Sequence, residues 1–514
     1  MRLADLLVSM SLLTDLGFGQ PTEHMLRSAR IGMRLGERLG LDTAQLSTLY
    51  DVGLLTYIGC PTYGDETAKI FGNDIRFRAQ AAEQDLAGFP AMVFMLRRLG
   101  QGGTGIDRAL QISGFMATGG RAVLEQMAGH CSAAGALADR LGLGADVRAG
   151  IEQAYARWDG RGVPDDLSGP ELSLAARISH VAEACEVMER TAGIDAAVDV
   201  VRSRTGTHFD PEIVKAVTDH PERLFDHIAD DALAQIMSAE PVTRPRLSDD
   251  QLDSALEAIG DFCDMRCSFF AGHARETAAL AAKAAELLHM PAAEARLTYR
   301  AALVHEAGRF GVDATVWTQP GPLTASRRER MRLHVYYVER IFDRPEALRR
   351  IGLLAATHHE RMDGSGYHRG LAAATLSSQA RLLAAAHAYH AMLQWRPYRH
   401  ALTESDARHR LLTATAQGQL DPLSVDAVLA AAGHGSSRLR AEGPLGLTAR
   451  ESEVLGLLAQ GMANKSIGKQ LQISPKTVSN HVEHIYAKLG VTNRAGATMV
   501  AMQHGLVGHS FERD

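Results

Sequence analysis

His358 and His359 stand side by side in "THHERMDGSGYHRG" (residues 357–370), just ahead of a glycine-rich chain reversal. Neighbouring side chains on a helix diverge by about 100°, so a single apolar face has little use for two adjacent imidazoles. Four more histidines share the surrounding stretch: His273 in "GHARETA", His305 in "LVHEAGRFGV", His334 in "RMRLHVYY" and His387 in "AAAHAYHAM". Glu306 follows His305 directly. Each lies among apolar residues at helical spacing, so the rings are expected to point into one bundle interior. A lone buried histidine is satisfied by one hydrogen bond; six with a carboxylate are costly to bury unless they coordinate a charge. Neutral imidazole and carboxylate together suit a divalent transition metal such as Fe, Mn or Zn. Arg309, Arg396 and Arg399 add guanidinium forks that suit an anionic small molecule or nucleotide.

The elements that must position these groups are helical. Apolar residues make up 46 % of the chain, charged residues 22 % and aromatics only 5 %, and Val/Ile/Thr alternation is nearly absent. Segments such as "ARETAALAAKAAELL" repeat apolar residues with helical period, so the expected fold is all-α. A chain of 514 residues is too long for one core. Two stretches read as linkers, 238–250 with two prolines and 433–446 rich in Gly, Ser and Arg. They give three expected domains, 1–240, 250–432 and 446–510.

The first two segments read as one unit used twice. The interval from His130 to Asp159-Gly160 equals that from His334 to Asp363-Gly364. "LAARISHVAEA" parallels "SQARLLAAAHA", and "GTHFDPEIVKAV" parallels "GQLDPLSVDAV". The first copy carries an insertion near 60–110. Its matching positions are read as His24, Tyr50-Asp51, His130, Ala154-Tyr155 and Glu183, too few donors for a metal centre and better suited to packing against copy two.

The last seventy residues carry a helix-turn-helix pattern. Thr448 and Glu451 form a capping box, Asn464 to Leu471 a short helix, and Ser474-Pro475 the cap and first position of a third. On that third helix Val478, Val482, Ile485 and Leu489 make a buried stripe, which turns Lys476, Ser479, Asn480, Glu483 and Lys488 outward. Between 446 and 508 six basic residues face three acids, although the whole chain carries −6. The positive charge needed for DNA is therefore local.

These motifs carry two resemblances. The segment of about 250–430 resembles the HD-GYP domain, a helical metal-dependent phosphodiesterase family that hydrolyses cyclic di-GMP; it also contains "PGPLT" (320–324), "RPYR" (396–399) and "LDP" (420–422). The resemblance implies metal ligation by His273, His305, His334, His358 and His359, and a metal-bridging water that attacks phosphorus. Four departures stand out. The family's His-Asp doublet is His305-Glu306, its assisting Lys is Arg309, its late Asp is His387, and its GYP reads Gly366-Tyr367-His368. Arginine cannot donate a proton near neutral pH, and His387 in place of a carboxylate removes a neutralising charge. The expectation is a module that holds metal through those histidines with Glu306 and His387, yet hydrolyses cyclic di-GMP poorly or not at all.

The C-terminal segment resembles the LuxR-type (NarL/FixJ-like) DNA-binding domain over its full length. That implies base contacts from Ser479, Asn480 and Glu483, and phosphate contacts from Lys465, Lys476, Thr477 and Lys488. The chain is thus expected to be a cytoplasmic, homodimeric transcription regulator. Two HD-like bundles in tandem would sense a ligand or metal, and double-stranded promoter DNA would be the partner. An active phosphodiesterase coupled to DNA binding, and a scaffold for a partner protein, are the alternatives. No run is apolar enough to span a membrane. Five scattered cysteines suit reduced thiols; Cys263 and Cys267, four apart, are the one spacing that would allow a redox pair.

Overall fold

The computed structural model describes residues 1–85, 88–100, 105–118, 121–228, 231–435, 445, 447–504 and 506. Helices account for its regular structure; among the described residues β-pairing is confined to isolated bridges such as Tyr155 with Val163 and Asp363 with Ala372. Two HD-like helical bundles in tandem precede a four-helix domain.

The two bundles repeat each other helix by helix. In the first, Leu3–Phe18, His24–Arg38, Thr43–Leu55, Arg121–Arg140, Ala145–Glu152 and Leu174–Ala192 follow in order. In the second, Asp249–Asp264, His273–Leu287, Ala292–Val304, Ala325–Asp343, Arg349–Ala355 and Ser378–Leu393 take the same places. Local signals start these helices. Ser248 with Gln251 and Asp42 with Gln45 form capping boxes, and Ser377 accepts from Ala380 N at 3.2 Å. One device recurs in both copies: a carboxylate from the preceding helix caps the helix that opens with histidine. Asp15 Oδ1 accepts from Met25 N at 2.9 Å, and Asp264 Oδ2 from Ala274 N at 2.8 Å.

A second recurrence corrects the alignment of the copies. A Cβ on Gly308 would lie 1.9 Å from the His334 carbonyl oxygen, and one on Gly59 would lie 2.0 Å from that of His130. Gly59 therefore corresponds to Gly308, which places Thr56-Tyr57, not Tyr50-Asp51, opposite His305-Glu306. Asp51 instead faces the connector, where both of its oxygens accept from Arg244. The insertion folds as four helices, Gly64–Phe71, Asp74–Ala81, Gly88–Arg98 and Gly105–Thr118.

The bundles share one continuous apolar core, running from Leu6 and Leu7 through Leu256, Ile259 and Phe310 to Val428. At their junction lies a buried ionic knot. Asp74, on an inserted helix, accepts from Arg78 Nη1 at 2.5 Å, from Arg266 Nη1 at 2.6 Å and from Ala314 N at 2.8 Å. Arg266 and Asp74 are both fully buried. Arg266 Nη1 also donates to Pro61 O and Nη2 to Val312 O. The stretch 238–250, read as a linker, is fastened rather than free. Arg2 pairs with Glu240, Arg244 with Asp51, and Leu247 N donates to Met1 O at 2.9 Å.

The C-terminal helices are Ala449–Ala459, Asn464–Gln470, Pro475–Leu489 and Arg494–Gln503, closed around Val454, Leu455, Ile467, Val478 and Ile485. The Thr448–Glu451 capping box is present, and Ser474 Oγ accepts from Thr477 N at 3.0 Å. All five cysteines are buried as free thiols, and no described helix is long and apolar enough to cross a membrane.

Candidate metal centre and DNA-reading helix

Five helices of the second bundle bring the six histidines together. His273 opens its helix, His305 closes Ala292–Val304, His334 lies mid-helix on Ala325–Asp343, and His387 lies on Ser378–Leu393. His358 and His359 leave the end of Arg349–Ala355, where the chain is no longer a regular helix, and this lets both rings reach the same centre. The glutamate and aspartate of their motif build the loop. Glu360 accepts from Arg369 N at 2.9 Å and Leu371 N at 2.8 Å, and Asp363 from Ser365 N at 3.0 Å. Gly366 is required because a Cβ there would meet Arg361 N and Glu360 Cα at 2.5 Å.

Glu306 divides the rings between its two oxygens. Oε1 lies 3.7 Å from His273 and His387 and 3.9 Å from His305. Oε2 lies 3.3 Å from His334 and 4.0 Å from His358. Two tetrads of donor atoms result, His273–His305–Glu306–His387 and Glu306–His358–His359–His387, each within 4.8 Å. Among the described residues these are the convergent donor groups, and both belong to the second bundle.

The hydrogen bonds behind the rings fix which nitrogen faces inward. Nδ1 of His305, His334 and His358 lies 2.6, 2.5 and 2.8 Å from the carbonyls of Ala302, Met331 and Ala355, each three residues back. A carbonyl can only accept, so each Nδ1 carries its proton and each Nε2 presents a lone pair. Burial keeps these rings neutral: it pushes His305 down to about 3, and His273, His358, His359 and His387 well below the usual imidazole range. His334 Nε2 and His358 Nε2 thus meet lone pair to lone pair at 3.4 Å. Such a pair repels unless a cation lies between them, so the residues present fit a divalent metal.

Sequence reasoning missed four supports of this centre. Asp264 aims His273 by capping its helix. His390 Nδ1 lies 3.3 Å from His273 Nδ1, Gln394 Oε1 lies 2.9 Å from the same nitrogen, and Trp317 packs edge-on against His334 with ring centroids 5.6 Å apart. Two were legible: His390 follows His387 by three, hence on one helix face, and Asp264 stands nine before His273 as Asp15 does before His24.

The arginines divide differently from expectation. Arg309 lies in the site, bonded to Glu306 Oε1 and held 3.7 Å over the Phe270 ring. Burial pushes the Glu306 carboxyl up, but Arg309 together with His334 and His358 outweighs it and holds its pKa below the usual value. Arg309 Nε and Nη1 make no hydrogen bond, and Nη1 stands 3.9 Å from Asp264 Oδ1. Arg399 is a correction: its two Nη groups donate to the carbonyls of Ala391, Met392, Gln394 and His400, which makes it a loop brace. Arg396 likewise spends its donors on Phe269 O, Trp395 O and Gln394 Oε1. His368 pairs with Glu339 at 3.1 Å, away from the centre.

A profile of the HD domain matches residues 122–213 and 257–423, half of the chain. The chain belongs to the HD-domain family. Residues 445–501 match the profile of bacterial regulatory proteins of the luxR family, so this HD protein ends in a DNA-binding helix-turn-helix domain. It is 27 % identical over 405 residues to the 3′3′-cGAMP-specific phosphodiesterase 3 of Vibrio cholerae, covering 78 % of this chain and 88 % of that one. It is 36 % identical over 148 residues to the cyclic di-GMP phosphodiesterase response regulator RpfG of Xanthomonas campestris, 28 % of this chain and 39 % of that one. A crystal structure of a cyclic GMP-AMP-specific phosphodiesterase of V. cholerae superposes with a TM-score of 0.58 at 24 % identity, over 84 % of this chain and 98 % of that one, a likeness of fold.

On the helix Pro475–Leu489 the HD protein exposes Lys476, Asn480 and Glu483, with Ser479 and Thr477 half-buried; Lys465 is exposed on the helix before it. Ser479 is held by Asn464 Nδ2 at 3.2 Å. Lys488, expected on phosphate, is a correction: its Nζ donates to Glu451 Oε2 at 2.8 Å and locks the capping box. Asn480→Ala is expected to lower discrimination between specific and random DNA by about 1–3 kcal/mol, whereas Lys476→Ala weakens both alike and flattens the salt slope. Titrations of both variants against the two DNAs at several salt concentrations check this.

Proposed function

We propose that the chain is a homodimeric transcription regulator whose second HD bundle holds a divalent transition metal and, beside it, an anionic ligand of the cyclic dinucleotide class. The observation that carries this reading is the facing lone pairs of His334 and His358 around Glu306, an arrangement that a bound cation makes favourable. His273, His305, His387 and Glu306 would hold one ion, and Glu306 with His358, His359 and His387 a second, with His334 beside Glu306 Oε2. Such ions supply charge neutralisation and Lewis acidity toward phosphate oxygens. Arg309, bonded to Glu306 and with Nε and Nη1 making no hydrogen bond, is the cation beside these groups that suits a phosphate.

Turnover is expected to be slow. Arg309 ties up the carboxylate that would bridge the ions, it cannot release a proton near neutral pH, and His387 adds no negative charge. The helix-turn-helix presents few phosphate contacts, so useful affinity needs two copies on a two-fold DNA site. The phosphodiesterase reading is kept by one observation, the likeness over most of the chain to an enzyme specific for 3′3′-cGAMP.

Elemental analysis of protein purified without chelators is expected to find Fe, Mn or Zn, lost in a Glu306→Ala variant. The Mn²⁺- or Fe²⁺-loaded protein should bind 3′3′-cGAMP or cyclic di-GMP with few turnovers. Several turnovers per second would replace the sensor with an enzyme. Metal-free protein would remove the metal reading altogether.

A further inference from the structure

In the first bundle the place of the metal centre is a cavity of about 440 Å³. By the register fixed at Gly59 and Gly308, Tyr57 stands for Glu306, Ala154 and Tyr155 for His358 and His359, and Glu183 for His387. Exchanging the paired histidines for Ala154 and Tyr155 removes the ligands, and the inserted helices close over the space. Phe71, Phe77, Met92, Met95, Phe115 and Met127 line it, a wall of aromatic and adaptable thioether side chains. The volume lies in the range of small-molecule sites.

Its polar lining includes the cations Arg78, Arg157, Arg161 and Arg204, the unpartnered ring of His130, and Glu183. Glu183, 8 % exposed, makes no side-chain hydrogen bond, and burial raises its carboxyl to about 8, so near neutrality it carries a proton to donate. Arg204 also lines the cavity and has one long contact, 3.5 Å to Glu83 O, leaving most of its guanidinium unspent. Arg157, by contrast, is taken by Asp85 and Asp159. Arg78 borders the cavity too, and its partner Asp74 also holds Arg266 of the second bundle, so an occupant would sit beside the junction.

We propose that this cavity is a metal-free binding site for an amphipathic carboxylate, its apolar body among the Phe and Met side chains and its carboxylate between Arg204 and Glu183. A carboxylate accepts from the guanidinium and from the protonated acid at once and brings the charge that Arg204 pairs with; an alcohol can accept from both but carries no charge, and an ammonium accepts from neither. The site is separate from the metal centre and stands whether or not that centre binds metal.

The test titrates full-length protein with decanoate, decanol and decyltrimethylammonium, following heat of binding and Tm. Decanoate is expected to bind saturably and raise Tm, with the other two weaker by about tenfold or more, the value of one charge-assisted contact. Arg204→Gln should weaken decanoate about tenfold, Glu183→Gln should retain it, and Ala91→Trp, which fills the cavity, should abolish it. Metal content should be unchanged in all three. Should Ala91→Trp not fold, Arg204→Gln and the probe series decide alone. Equal binding of the three probes, unchanged decanoate binding in Arg204→Gln, or no saturable binding overturns the proposal.

Discussion

Asp74→Ala is expected to cost the paired bundles about 3–5 kcal/mol, because it leaves two buried guanidiniums without their counter-charge. Arg266 is fully buried and Arg78 nearly so, and the lost carboxylate also frees Ala314 N. Denaturant unfolding of the full chain measures the loss. Replacing Asp74, Arg78 and Arg266 together by apolar residues of similar size should recover much of it, since the cost lies in unpaired charge. The same group sets an acid limit. Burial alone would raise the Asp74 pKa, but Arg266 and Arg78 outweigh it and bring it to about 2, below the ordinary 3.8. Its contribution is therefore complete above about pH 4 and is lost as pH falls through 2. Stability measured from pH 5 downward should fall across that window, and fall less in Asp74→Asn.

The second large effect is expected from Gly308→Ala. The added methyl would lie 1.9 Å from His334 O and 2.9 Å from Val338 N, both backbone atoms, so no flexible side chain can yield. The helix Ala325–Asp343 must move outward, which costs about 1–3 kcal/mol or more. His334 moves with it, away from Glu306 and His358. Loss of metal alongside the drop in stability distinguishes this from a simple packing defect. Gly59→Ala should destabilise to a similar extent and leave metal content unchanged.

Much of this was legible in the sequence, for stated reasons. Helical period gave the all-α class, and histidine type and spacing pointed to the cluster: six of the seven expected donors fall in the two tetrads, and His334 stands 3.3 Å from Glu306. The starts of the helices in the helix-turn-helix were readable because caps at Thr448 and Ser474 are local chemistry. The Tyr50-Asp51 assignment was not, because a Gly-to-carbonyl contact between distant helices sets the register and leaves no periodic trace. Arg399 and Lys488 looked like free cations, and only tertiary structure shows them spent on carbonyls and on Glu451. The cavity was illegible too: it arises from side chains that became smaller, under helices that read as a mere insertion.

The connector between the bundles has a consequence for how this protein can be cut. With Leu247 N on Met1 O, Arg244 on Asp51 and one core beneath, residues 238–250 are a strap sewn to the first bundle. Proteases should find it a poor target despite its prolines and charges. A gene split there would yield two halves that each expose a raw apolar face and the severed knot of Asp74 and Arg266. The two copies, different in chemistry, are therefore expected to fold and unfold together, not as separable halves.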